Sequence, residues 1–178
     1  VPGPGRAEID VDTPQLRAMK ADAGIEPCPT TRRGPVEGGL PDVTLPCFGG
    51  GDDVEVAGLR GPLVINIWAS WCGPCVKEMP AVAEFYDRYG DRVPVLGIDY
   101  QDRQTEPALE LAADSGVTFP LLADPQGDLR AKPPFSASVY VPSFVFIDDS
   151  GVATVVTGGI TKVAELVDLV REHLGITL

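Results

Sequence analysis

The sequence predicts an α/β domain, a mixed sheet covered by helices, and three observations carry that expectation. LVINIWA at 63–69 is almost continuously apolar and β-branched, the mark of a strand buried on both faces. Strand-like and helix-like segments alternate after it. Near the C-terminus two strand-like runs flank a tight turn and lead into a last helix, an order that suits a mixed sheet.

Taken in order, residues 1–39 are rich in Pro, Gly and Arg and read as a linker that becomes an anchored arm, with one short helix around Thr13 to Ala23. From Leu40 the pattern changes: VTLP, a GGGDD turn and VEVAGL make a short N-terminal hairpin leading into residues 40–178, the domain proper. After the strand at 63–69, Val76, Met79, Val82, Phe85, Tyr86 and Tyr89 recur at helical spacing, and Gly90 ends the run as a C-cap. PVLGIDY at 94–100 is a second strand, followed by a helix from about Glu106 to Asp114 with Thr105 as its N-cap. FPLLAD at 119–124 is a short strand, GDLRAKPPF a turn with little helix, and VPSFVFID at 141–148 another strand. DDSG turns the chain into VATVVTG at 152–158, which pairs back as a hairpin. Thr161 then caps a final helix with the apolar face Val163, Leu166, Val167, Val170 and Leu174.

The 178 residues suffice for one domain with a proper core plus a tail. Fourteen basic against 26 acidic residues give a net charge of −12, and the basic ones are scattered, which argues against nucleic acid as a partner. No stretch approaches the ~18 apolar residues of a membrane span. The chain starts at Val1 with neither a charged nor an apolar leader region, so a signal, an anchor or another upstream segment is expected to have been removed.

Four cysteines form two natural pairs. Cys28 and Cys47 flank an irregular Gly/Pro-rich run, where a disulfide would stabilise by roughly 3 kcal/mol in the chain-entropy model. A structural disulfide is the favoured reading, with two free thiols or an auxiliary redox pair as alternatives. Cys72 and Cys75 lie where strand gives way to helix, in ASWCGPCVKEMP. A thiol at a helix start faces unpaired backbone N–H groups and the positive end of the helix dipole, which favours thiolate. Cys75, one helical turn deeper, would be shielded, so Cys72 attacks and Cys75 resolves. A zinc site would want four ligands, and the single histidine, His173, belongs to the last helical turn, so no metal is expected. A purely structural C-x-x-C disulfide is the remaining alternative, but a bond at an exposed helix start is labile.

WCGPC at 71–75, entered from LVINIWAS and followed by a helix, resembles the thioredoxin superfamily over about residues 40–178. The EMP that closes the first helical turns, and the long segment from Gln101 to Val139 between the central strands, resemble its extracytoplasmic TlpA/ResA-like branch. That resemblance implies a thioredoxin-like fold and a thiol-disulfide oxidoreductase whose redox centre is the Cys72–Cys75 disulfide, with no other cofactor. It implies that Trp71 packs beside the disulfide, rather than being a plain interface aromatic, and that Gly73 and Pro74 tune its potential. Pro142 matches a cis-proline facing the disulfide, and Val141 would offer backbone hydrogen bonds to a substrate peptide. Glu78 matches the acid that ResA-like proteins place beside the buried cysteine, where a partly buried carboxylate could take the Cys75 proton; an exposed helix glutamate is the alternative. Pro80 is expected to kink the helix. Asn66 and, approximately, Val95 stand where cytosolic thioredoxins have an Asp and a Lys.

The function expected is reduction of protein disulfides outside the cytoplasmic membrane, with apocytochrome c among the substrates and a membrane partner supplying or accepting electrons. The chain would act as a monomer. An oxidant or isomerase of exported proteins is the alternative; a peroxidase, which would want a Thr where Ala69 stands, and a metal or scaffold module rank lower.

Overall fold

In the computed structural model, residues 8–178 are described; the first seven residues of the expected linker lie outside them. Helix α1 (Pro14–Ala23) starts where the Thr13 hydroxyl accepts the Leu16 N–H and ends at Gly24 with φ 70°. The hairpin is β1 (Thr44–Leu45) against β2 (Val54–Glu55), antiparallel, with a 3₁₀ turn over Val56–Gly58 behind it. The central sheet comprises β3 (Leu63–Trp68), β4 (Val95–Tyr100), β5 (Leu121–Asp124), β6 (Ser143–Ile147) and β7 (Ala153–Thr157). Between and after them run α2 (Gly73–Tyr89), α3 (Thr105–Asp114) and α4 (Val163–Leu174). The sheet order is β5-β4-β3-β6-β7, parallel among β5, β4 and β3 and antiparallel from β3 through β6 to β7, hence mixed.

Strand β3 is buried along its whole length, as its run of apolar residues requires. Its alternate residues divide the interior. Val64 and Trp68 pack with Met79, Val82 and Phe85 of α2, Ala108 and Leu109 of α3, and Leu166 and Val170 of α4. Ile65 and Ile67 pack on the other face with Leu45, Val54 and Leu59 and with Leu129 and Phe135 from the segment before β6. One face is therefore covered by helices and the other by the N-terminal hairpin and an irregular stretch. Two right-handed crossovers moving in the same direction along the sheet place α2 and α3 on the same side. The arm joins this core: Val11, Leu16 and Ile25 are buried with the helical layer.

Residues 46–48 run antiparallel beside β5, through Phe48 N–H to Leu121 O at 2.8 Å, Ala123 N–H to Pro46 O at 3.1 Å and a Cys47–Leu122 bridge, so the edge of β5 is covered.

Several local expectations need correction. Gly90 does stand at the end of α2, but with φ −58°, not left-handed; glycine is required because a Cβ would lie 2.6 Å from the Tyr86 ring. Thr105 is the first helical residue of α3 rather than its cap, which is Gln104, and the Gln104 N–H is bound by Asp102 Oδ1 at 2.9 Å. Lys162, not Thr161, is the N-cap of α4; the Glu165 carboxylate supplies the cap, accepting from the N–H groups of both Thr161 and Lys162. The strand expected from Val141 begins at Ser143. Pro80, where a kink is expected, lies within α2, which keeps its helical assignment on both sides of it.

Candidate active site

The site lies at the C-terminal ends of the parallel strands β3 and β4, where open α/β sheets place their chemistry. After Trp68 the chain makes one turn, with Cys72 N–H bound to Ala69 O, and enters α2. Cys72 is the N-cap of α2, and its Sγ accepts the Cys75 N–H at 3.2 Å. The two cysteines are joined in a disulfide with Cα atoms 5.2 Å apart. Cys75 is fully buried, whereas Cys72 keeps a sliver of exposure and is flanked by exposed Gly73 and Pro74. Pro74 stands in the first turn, where its missing N–H has no helical partner to lose.

Trp71 projects from this turn, 54% exposed, with its indole N–H held by Gln101 O at 3.1 Å. The loop after β4 grips the turn a second time: Asp102 Oδ2 accepts from Ser70 N at 2.7 Å and from Ser70 Oγ at 2.6 Å. Behind it, burial and the neighbouring Asp102 charge hold the Asp99 carboxyl well above the usual carboxylate range.

Glu78 is wholly inaccessible and lies one turn along α2 from Cys75. Its Oε1 accepts from Asn66 Nδ2 at 2.7 Å and its Oε2 from Ile160 N at 3.2 Å. Burial pushes the carboxyl up to about 7, against the lowering effect of the two hydrogen bonds, the Asn66 bond being the stronger. Among the described residues Asn66 Oδ1 has no partner, so a turn of that amide lets it accept a hydrogen bond from neutral Glu78. The Val141–Pro142 peptide is cis. Pro142 is buried and Val141 half-buried, beside exposed Tyr140. A Cβ on Gly159 would lie 2.8 Å from Glu78 Oε2 and 2.9 Å from Pro142 Cγ, so only glycine allows the 159–160 turn to close over both.

The structure thus gathers Cys72, Cys75, Trp71, Gly73 and Pro74 at one helix start, and brings Glu78 and Pro142 together through Gly159. The Cys28–Cys47 disulfide is a separate feature, beside β5. The residue opposite Asn66 on β4 is Gly97, not Val95, which pairs with Val64. Sequence reasoning did not find Gly159, Ile160, Asp99 or Asp102. The first two act through a turn remote in sequence; the acids, in DYQD, signal their role only by lying at and just past the end of β4, the strand parallel to β3.

Residues 36–156 match the model of the AhpC/TSA family. Thioredoxin-like protein YneN of Bacillus subtilis is 30% identical over 115 residues, 63% of this chain and 65% of that protein. Thiol-disulfide oxidoreductase ResA of Bacillus thuringiensis is 34% identical over 77 residues, 42% of this chain and 43% of its own length. Among solved structures, dsbF of MTB, in mixed oxidized and reduced forms, superposes with a TM-score of 0.63 at 28% identity, covering 74% of this chain and 94% of that one. The matched region spans less than two thirds of the length of these curated relatives. With a mixed sheet of the thioredoxin type and a WCGPC turn opening α2, the chain belongs to the AhpC/TSA family, among its thioredoxin-like, ResA-related members.

Proposed function

We propose that the chain is a thiol-disulfide oxidoreductase that reduces protein disulfides outside the cytoplasmic membrane. The observation that carries the reading is a cysteine pair at the N-cap of α2, its outer member with a sliver of exposed surface between exposed Trp71 and Gly73 and its inner one sealed a turn away from a buried carboxyl held near 7. In the reduced enzyme the helix N-terminus favours Cys72 as thiolate. That thiolate attacks one sulfur of a substrate disulfide, forming a mixed disulfide and expelling the other substrate sulfur as thiolate. Cys75 then gives up its proton, with Glu78 as acceptor, and its thiolate attacks Cys72 Sγ. The substrate leaves as a dithiol and the Cys72–Cys75 disulfide is formed. A carboxyl near 7 is poised both to accept this proton and to release it.

Val141, ahead of Pro142, and the exposed faces of Trp71, Gly73 and Pro74 make the surface on which a substrate peptide would lie. The redox centre is the disulfide itself, without a further cofactor or metal. The domain responsible is residues 40–178, carried on the arm of residues 1–39 and acting as a monomer. An extracytoplasmic setting is supported by the Cys28–Cys47 disulfide, since such bonds persist in oxidising compartments. Among the described residues no helix is long and apolar enough to cross a membrane. Working as a reductase there requires a membrane partner that delivers electrons; an apocytochrome c heme-binding cysteine pair falls within the substrate class.

The test is the reduction potential of the Cys72–Cys75 pair, equilibrated against glutathione and dithiothreitol in a Cys28→Ser, Cys47→Ser chain. A potential near about −270 mV supports the reductase; one near about −120 mV would make the chain an oxidant of exported proteins instead. If Cys72→Ser still accelerated insulin reduction over dithiothreitol alone as the parent chain does, the reading would fall altogether.

A further inference from the structure

The second disulfide has chemistry around it that a passive staple does not need. Three consecutive glycines, Gly49, Gly50 and Gly51, take φ of 77°, 96° and 125°, and each is occupied at close range. A Cβ on Gly49 would meet the Lys20 side chain at 3.0 Å, one on Gly50 would meet Asp12 and Arg17, and one on Gly51 would meet Cys47 Sγ at 3.1 Å. This turn lets α1 press Lys20 onto Cys47. Lys20 is 9% exposed, and its Nζ lies 3.2 Å from Cys47 Sγ and 2.8 Å from Gly50 O. Among the described residues it forms no ion pair; the nearby Asp12 is taken by Arg17, at 2.5 and 2.9 Å. A buried ammonium facing a neutral disulfide sulfur lacks the counter-charge that usually accompanies burial. A Cys47 thiolate would supply it.

The two sulfurs differ correspondingly. Cys47 is 1% exposed, whereas Cys28 is half-buried and its Sγ lies 3.2 Å from Leu121 O, ready for a thiol to donate to that carbonyl. Both products of reduction therefore have partners already in place.

We propose that Cys28–Cys47 is a second thiol-exchange site, at which a dithiol reductant attacks Cys28 Sγ and Cys47 departs as a thiolate held by the Lys20 ammonium. The attacking thiolate bonds to Cys28, the Cys28–Cys47 bond breaks and its electron pair goes to Cys47 Sγ. The reductant's second thiol loses its proton to solvent and attacks its own mixed sulfur. Cys28 leaves as a thiolate, is protonated and faces Leu121 O, while the reductant departs as a disulfide. Attack at the accessible sulfur with a charge-stabilised leaving group is the fast direction for such exchange.

The test uses the full chain with Cys72→Ala and Cys75→Ala, so its outcome is independent of the WCGPC chemistry. Glutathione is added to the oxidised chain, the reaction is quenched with acid, and mixed disulfides are mapped by mass spectrometry. At least tenfold more glutathione is expected on Cys28 than on Cys47, at a rate proportional to glutathione. In dithiothreitol equilibria, Lys20→Met should lower the reduction constant of the pair roughly tenfold or more, the scale of a lost charged hydrogen bond, and Lys20→Arg should restore most of it. Equal labelling of the two cysteines, an unchanged constant in a folded Lys20→Met chain, or a rate independent of glutathione and equal to global unfolding would each overturn the proposal. If Lys20→Met does not fold, the labelling ratio and the glutathione dependence decide alone.

Discussion

Replacing Glu78 with glutamine tests the electrostatics of the site without emptying it. The carboxyl is wholly inaccessible and is pushed from its ordinary 4.5 to about 7 by burial. Below about pH 4.5 the group is neutral in both folded and unfolded chains, and ionisation costs nothing. Between 4.5 and 7 the unfolded chain ionises while the folded one holds its proton, so this group removes stability as pH rises; above 7 the loss is complete. At ~1.36 kcal/mol per pH unit the full effect is worth about 3 kcal/mol. A glutamine side chain carries no such penalty, and it fits: its carbonyl accepts the Ile160 N–H, and its amide donates to Asn66 Oδ1, which lacks a partner in the present arrangement. Urea unfolding of both oxidised chains at pH 5 and pH 8 reads the effect, and the difference between chains cancels every other titrating group. Glu78→Gln should gain about 2–3 kcal/mol on the parent between those two pH values. A difference that stays constant to within about 0.5 kcal/mol would mean that Glu78 does not titrate as its burial requires, and its role as proton acceptor would fall with it.

Cys75→Ser should leave Cys72 able to attack but unable to be resolved, so a mixed disulfide with a substrate protein accumulates and can be identified by mass spectrometry; rapid turnover instead would refute the division of labour. Gly61→Ala would put a Cβ 1.8 Å from Ile147 O, a backbone atom that cannot step aside, and should cost at least about 3 kcal/mol in urea unfolding. Gly73→Ala, where nothing lies within 4 Å, should by contrast be neutral or stabilise by up to about 1 kcal/mol. Asp99, held high mainly by burial and then by Asp102, loses folded stability as pH rises from its ordinary 3.8 toward its raised value, so Asp99→Asn should flatten the pH dependence of unfolding in that range; an unchanged slope would contradict it.

What the sequence conveyed were the features set by short-range pattern. The period of LVINIWA, the helical spacing after WCGPC and the alternation of elements sufficed to foresee β3, α2 and the mixed sheet. Cap residues were harder, because Thr161 and Thr105 look like caps locally, while the caps are decided by carboxylates that fold back, Glu165 on α4 and Asp102 before α3. The burial of Glu78 beside Cys75 could be foreseen from the EMP stretch only by resemblance, and its partners could not be read from α2: its second hydrogen bond comes from a backbone N–H 82 residues away. Lys20 was equally silent. A lysine in a short amphipathic helix ordinarily points to solvent, and only the close approach permitted by the Gly49–Gly51 backbone brings it onto Cys47.

The position of Asn66 shows how strand register and proton chemistry are joined. On β3 the side chains of Val64, Asn66 and Trp68 share the face toward α2, and Ile65 and Ile67 share the other. Asn66 is the single polar residue of that strand, and its register opposite Phe144 and Gly97 places its amide under Glu78 with no competing cation across the sheet. A lysine at position 97 would favour the ionised carboxylate and draw Glu78 below 7, and the glycine there leaves no room for one, since even a Cβ would sit 2.5 Å from Leu121 Cδ2 and 3.1 Å from Trp68 Nε1. An amide can donate to the carboxylate and, turned over, accept from the carboxylic acid, so it supports both protonation states where an acid would favour only one. A slip of one residue in β3 would send Asn66 into the opposite apolar layer and put an isoleucine beneath Glu78, leaving the buried carboxyl without its stronger hydrogen bond. The same pairing that builds the sheet therefore sets the proton affinity of the group next to Cys75.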